Sequence, residues 1–144
     1  MEKEKVQYYV DMVRSDPDEI ENVPEEVLTA HPEICMEAVK QYGRLLEYVP
    51  EEVKLAHPEM CIEAVKQDVY AILFMPEKIG IANPEMCMEA VKKNGLALQY
   101  VPEEVQKAHL EICMEAVKLD VRALLDVPEE VQIAHPEMCI EAVK

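Results

Sequence analysis

The sequence predicts an all-α solenoid, and three observations carry that expectation. The five cysteines stand at 35, 61, 87, 113 and 139, each 26 residues from the next. The segments around them are near-copies: "PEEVKLAHPEMCIEAVKQDVYAILFM" (50–75) is followed by "PEKIGIANPEMCMEAVKKNGLALQYV" (76–101). No useful length of chain alternates apolar and polar residues with period two, so strands are not expected. A fixed period in this range marks units that each bury one face against the next. Residues 1–144 read as one domain of about five repeats, each of two to three short helices. Full units span 24–49, 50–75, 76–101 and 102–127, and residues 128–144 begin a fifth.

The first element is a degenerate capping repeat, 1–23. "VQYYVDMVRSDPDEIENV" lies without gaps over "PEICMEAVKQYGRLLEYV", with Tyr9 in the cysteine slot and Asp16-Pro17 as a helix cap. Glu2, Lys3, Glu4 and Lys5 suit a solvent-facing end.

The unit 50–75 shows how each full repeat divides. A short helix begins at Pro50 and is expected to bury Val53 and Ala56. His57 then caps a helix running from Pro58 to Gln67, since proline suits the first helical position and Glu59 favours the dipole there. Asp68 caps a second short helix with Ala71, Ile72 and Met75 inward. Pro76 ends it, because the residue before proline is steered out of the helical region. On the helix Pro58–Gln67, Glu59, Glu63 and Lys66 share one narrow stripe, while Met60, Cys61, Ile62, Ala64 and Val65 cover the rest. Such a helix needs neighbours on both sides, which equivalent helices of adjacent repeats provide. Gly43 and Gly95 share a slot that Val69 and Val121 fill in alternate units, suggesting an ancestral pair of 52 residues. The fifth unit stops within its first helix, so the expectation is either a longer array or self-association through that uncapped end.

Composition narrows the functions. Thirty acids against 14 bases give a formal charge of −16, a surface that repels phosphate backbones, so direct nucleic-acid binding is not expected. No apolar run is long enough to span a bilayer, and no membrane partner is expected. The N-terminus lacks the basic-then-apolar order of a secretory signal. An odd, evenly spaced set of cysteines does not suit a secreted disulfide framework, which points to free thiols in a reducing, cytoplasmic compartment.

Four features invite a functional reading. His57 and Cys61 stand four apart at a helix start, as metal ligands can. Against this, Asn83 replaces the histidine in the next unit and caps a helix as well as histidine does, while each repeat supplies too few soft ligands. Packing is the expected role of the thiols. The methionines flanking each cysteine, such as Met60 and Met114, read as core and not as a copper box. Glu pairs such as Glu51-Glu52 read as first-turn cap charges and not as acid–base machinery. No catalytic, cofactor or metal residue is assigned, and an enzyme is not expected.

Candidate partner contacts remain. Tyr48, Phe74 and Tyr100 share one slot in three successive units, bounded by Asn22 and Asp126, and form a candidate aromatic stripe; the plainer alternative is that they cover the seam between repeats. Glu59, Glu63, Glu85 and Glu89, continued by Glu33, Glu37, Glu111 and Glu115, form a carboxylate stripe for a basic partner or a merely solvated face, partly offset by Lys40, Lys66, Lys92 and Lys118. Positions 28–29, 54–55, 80–81, 106–107 and 132–133 vary most and are read as loops.

"AVKKNGLALQYVPEEVQKAHLEICMEAVK" (Ala90–Lys118) resembles the short helical repeats known as domain of unknown function 4116, whose pattern is similar to A-V-K-x-N-G-x-A-L-x-Y-A followed by a short E-E-containing helix and an apolar one. Val69 and Val121 depart from it where the family tends to have glycine, as does Asp126 where it tends to have an aromatic residue. The resemblance implies architecture and no activity, so it carries over no site residue. The function expected is a non-enzymatic scaffold for a protein or peptide partner; the alternative is an acidic decoy whose carboxylates imitate nucleic-acid phosphates and block a DNA-handling protein.

Overall fold

A computed structural model describes residues 2–144, and the chain is an all-α repeat solenoid with no strand among the described residues. Its helices are α1 (Glu2–Ser15), α2 (Glu25–Ala30), α3 (Pro32–Gln41), α4 (Glu51–Ala56), α5 (Pro58–Gln67), α6 (Glu77–Ala82), α7 (Pro84–Lys93), α8 (Glu103–Ala108), α9 (Leu110–Leu119), α10 (Glu129–Ala134) and α11 (Glu137–Ala142). Between them lie five 3-10 helices: Pro17–Asn22, Gly43–Tyr48, Val69–Phe74, Gly95–Tyr100 and Val121–Asp126. No described helix is long and apolar enough to cross a membrane.

The chain divides into two compact units, one reaching to Pro76 and the other Glu77–Lys144. In the first, α1, α3 and α5 pack side by side, and so do the three 3-10 helices that follow them, while α2 lies against α4. In the second, α7, α9 and α11 form the equivalent row, Gly95–Tyr100 packs on Val121–Asp126, and α6 on α8. The core repeats with the sequence. Ile34, Cys35, Ala38 and Val39 of α3 are buried, as are Met60, Cys61, Ala64 and Val65 of α5. Their counterparts in α7 and α9 are buried as well. Two adjacent residues per turn of helix face inward, the signature of a helix flanked on two sides.

The joint between the short and the long helix is one residue. The His57 amide donates to the Val53 carbonyl at 2.9 Å, and the His57 carbonyl accepts from the Met60 amide at 3.0 Å, so its backbone serves both helices. Its φ of −131° and ψ of 68° set the turn between them, and His109, which precedes Leu110 and not a proline, takes nearly the same angles. The histidine side chain is no cap, contrary to the sequence expectation: it makes no capping hydrogen bond and turns to Glu59, at 3.2 Å. Asn83 does not cap α7 either, and donates backwards to the Ile79 carbonyl at 2.9 Å. Because the backbone makes the joint, the two side chains are interchangeable there.

Asp68 does cap its helix, accepting from the Tyr70 amide, as Asp16, Asn94 and Asp120 do in their repeats. These six-residue helices close i→i+3 bonds, Ala71 to Asp68 and Met75 to Ile72, and are therefore 3-10. Gly43 and Gly95 open two of them at a close approach to the next long helix. A Cβ on Gly95 would stand 2.8 Å from the Ala116 carbonyl oxygen, and one on Gly43 would meet the Ala64 carbonyl oxygen.

Two further expectations are corrected. Ala56 is exposed, and Lys54 takes the inner place beside Val53. The variable positions are not loops but lie on the short helices, and the first of each pair turns inward: Leu28, Lys54, Gly80 and Gln106 are buried and Gln132 is half-buried. Residue 54 faces in because α4 has only six residues, and its inward stripe is set by Val53 and its neighbour.

Candidate functional site

Tyr48 ends the 3-10 helix Gly43–Tyr48, where the chain turns extended at Val49 before Pro50. That turn leaves its ring 38% exposed beside a cleft of about 340 Å³. Ile20, Val23, Leu28, Val49 and Pro50 supply the apolar wall, and Glu21, Glu25 and Glu47 the charged part. No lysine or arginine lines it. The phenol is held above the usual tyrosine value, first by its hydrogen bond to Glu47, then by the charge of Glu47, by partial burial and by Glu21. The tyrosine thus stands between two carboxylates from consecutive repeats, with Glu25 beside them.

The other sequence-selected residues are placed differently. Phe74, one repeat on, is half-buried, and its carbonyl accepts from the Lys54 ammonium at 2.6 Å. Tyr100, in the second unit, is half-buried too. Glu59 is exposed and engages His57; Glu63 is half-buried; Glu85 and Glu89 are exposed. Glu59 and Glu63 do not line the Tyr48 cleft. The carboxylates that do, Glu21, Glu25 and Glu47, escaped the sequence reading. The signal was present: Glu21 and Glu47 hold the same repeat position, next to the aromatic slot.

A second cleft in the first unit, about 460 Å³, is lined by Asp18, Gln41, Tyr42, Arg44, Gln67 and Asp68 among others. Its cation is already matched: Arg44 bonds Asp68 at 2.6 Å and lies 5.1 Å from the Tyr70 ring centre. Gln41 and Gln67 use their amides to reach main-chain carbonyls at the ends of α1 and α3.

Cys35, Cys61, Cys87 and Cys113 are buried and all five thiols are free. Cys139 differs from its counterparts in being exposed. Burial pushes the Cys35 thiol up to about 12 and the Cys61, Cys87 and Cys113 thiols up to about 11. They are neutral at ordinary pH, the form that neither ligates nor attacks. Among the described residues no three His, Cys, Asp or Glu side chains gather as a metal site would need.

The model of the family described as "Domain of unknown function (DUF4116)" matches three times, over residues 10–54, 31–79 and 83–132. The chain belongs to this family. The DUF4116 matches take in most of the N-terminal degenerate repeat as well as the full ones, and they include Tyr48 and the three carboxylates of its cleft. No curated protein and no solved structure matches the chain. The DUF4116 description names no activity, so what the chain does has to be argued from its surface.

Proposed function

We propose that this DUF4116 chain is a non-enzymatic scaffold that binds a polypeptide partner, using Tyr48 and its cleft in one unit and Tyr100 in the other. One observation supports the reading above the rest. Tyr48 is an aromatic side chain kept partly in water beside an apolar wall and three carboxylates, a combination suited to a partner's side chain. The partner is basic or carries a basic segment, and neither nucleic acid nor a membrane is bound directly. Neutral, unpaired thiols suit a reducing, cytoplasmic setting.

The decoy reading draws on a different surface, the carboxylates of Glu59, Glu63, Glu85 and Glu89, three of which are exposed. One experiment separates the two. Partners are captured on the immobilised chain from extracts of its source cells across a salt series and identified by mass spectrometry. The scaffold reading expects a partner whose retention falls only modestly with salt and is lost with Tyr48→Ala or Tyr100→Ala. Retention that collapses with salt and with Glu→Gln changes at 59, 63, 85 and 89, but ignores the tyrosines, would replace it with the decoy.

A further inference from the structure

The cleft at Tyr48 has a counterpart one repeat later, built from the residues 26 positions on. Leu28, Glu21, Glu25 and Tyr48 become Lys54, Glu47, Glu51 and Phe74. In that second copy the chain fills the space itself. Lys54 is only 8% exposed and its ammonium donates to the Phe74 carbonyl at 2.6 Å; burial pulls its pKa down, opposed by Cys61, Glu51 and Glu47. In the first copy the inward residue is Leu28, which brings no donor to the matching Tyr48 carbonyl, and a cleft of about 340 Å³ stays open. The same short-helix slot is filled by amides in the second unit: Gln106 donates to the carbonyls of Leu98 and Val101 at 3.2 Å, and Gln132 to those of Leu124 and Val127. Where the chain supplies a nitrogen donor in this slot it reaches main-chain carbonyls of an adjoining 3-10 segment, Lys54 the one that follows and Gln106 and Gln132 the one before.

We propose that the Tyr48 cleft receives a lysine side chain from a partner polypeptide, in the way its neighbouring copy receives Lys54. The open cleft and the charge complementarity name the occupant together: three carboxylates on the rim, no basic residue among its lining, and an intramolecular lysine in the equivalent place. Glu21, Glu25 and Glu47 hold the ammonium, the Tyr48 ring covers the methylene stem, and Ile20, Val23 and Val49 form the wall behind it. The inference rests on the scaffold reading and sharpens it to one side chain.

The test is an NMR titration of the full chain with a short Gly/Ser peptide bearing one lysine, its acetyl-lysine version, and free N-acetyl-lysine methylamide. The lysine peptide should shift the resonances of Tyr48, Glu21 and Glu47, and acetylation should weaken it at least about tenfold, since charge-assisted bonds are lost. Leu28→Lys should close the cleft and abolish those shifts. Lys54→Leu should open the second copy and add shifts at Phe74, Glu47 and Glu51. Should Leu28→Lys fail to fold by circular dichroism, the Glu21→Gln/Glu47→Gln double variant decides in its place, with binding expected to be lost. Shifts scattered over the exposed acidic helices and untouched by either change would overturn the proposal. So would no shift at Tyr48, or equal binding of the free amine, which would make the occupant a small molecule. A Tyr100-dependent partner captured by a chain that ignores the lysine peptide would sink this inference and leave the scaffold standing.

Discussion

A thiol can bind metal, attack an electrophile or fill space, and its surroundings decide which. Four thiols of this chain lie one turn into long helices with no water against them, and burial keeps them protonated well past neutrality. A native-state reaction with a thiol reagent at pH 8 should therefore modify Cys139 first, with Cys35, Cys61, Cys87 and Cys113 following only on unfolding; mass spectrometry of the products reads the order. Stability depends on the same groups at high pH. The unfolded thiols ionise near 9 and the folded ones near 11 to 12, so above pH 9 the unfolded chain binds fewer protons and folding weakens as pH rises. Urea unfolding from pH 8 to 11 should show this fall, shallower in Cys61→Ala. Gly95 acts through distance and not through backbone angle, since no described glycine has positive φ. Gly95→Ala forces the Ala116 carbonyl aside and should cost about 1–3 kcal/mol in urea unfolding. An unchanged midpoint would mean the approach is softer than it looks.

At the scale of elements, the joints do more than the caps. A single residue closes one helix and opens the next with its own amide and carbonyl, and it does so before Leu110 as well as before proline, without help from its side chain. The short helices then aim one residue inward at the carbonyl ends of the 3-10 helices. Gln106→Ala removes both of its bonds to Leu98 and Val101 and should destabilise the chain by about 1–3 kcal/mol, read as a drop in thermal midpoint. Much of this layer was legible in the sequence. Proline after histidine placed Pro58–Gln67 with the bounds observed, and Asp68 announced the following helix. The 3-10 character was not legible, because over six residues periods of 3.0 and 3.6 put the same side chains inside. Lys54 was misread because lysine is almost always a surface residue, and only its backbone acceptor at Phe74 explains its place. The Tyr48 cleft joins residues from two repeats, so its aromatic member stood out in the sequence while Glu21, Glu25 and Glu47, drawn from both units, did not.

For the molecule as a whole, repetition and charge pull in opposite directions. Each unit is built from contacts between successive repeats, which favours stacking, while a formal charge of −16 spread along the chain opposes compaction. Added sodium chloride should screen that repulsion and raise the thermal midpoint between 20 mM and 500 mM, roughly a shortening of the Debye length from about 20 to 4 Å. A midpoint that falls with salt would mean the surface ion pairs, such as Lys107 with Glu130, outweigh the general repulsion. The inward slot of the short helix carries one last consequence. The slot recurs once per repeat, while the plug changes along the chain: hydrocarbon, ammonium, nothing, and then an amide twice. A single codon can therefore switch a socket between vacant and self-plugged without disturbing the repeat around it, which makes the array editable one port at a time.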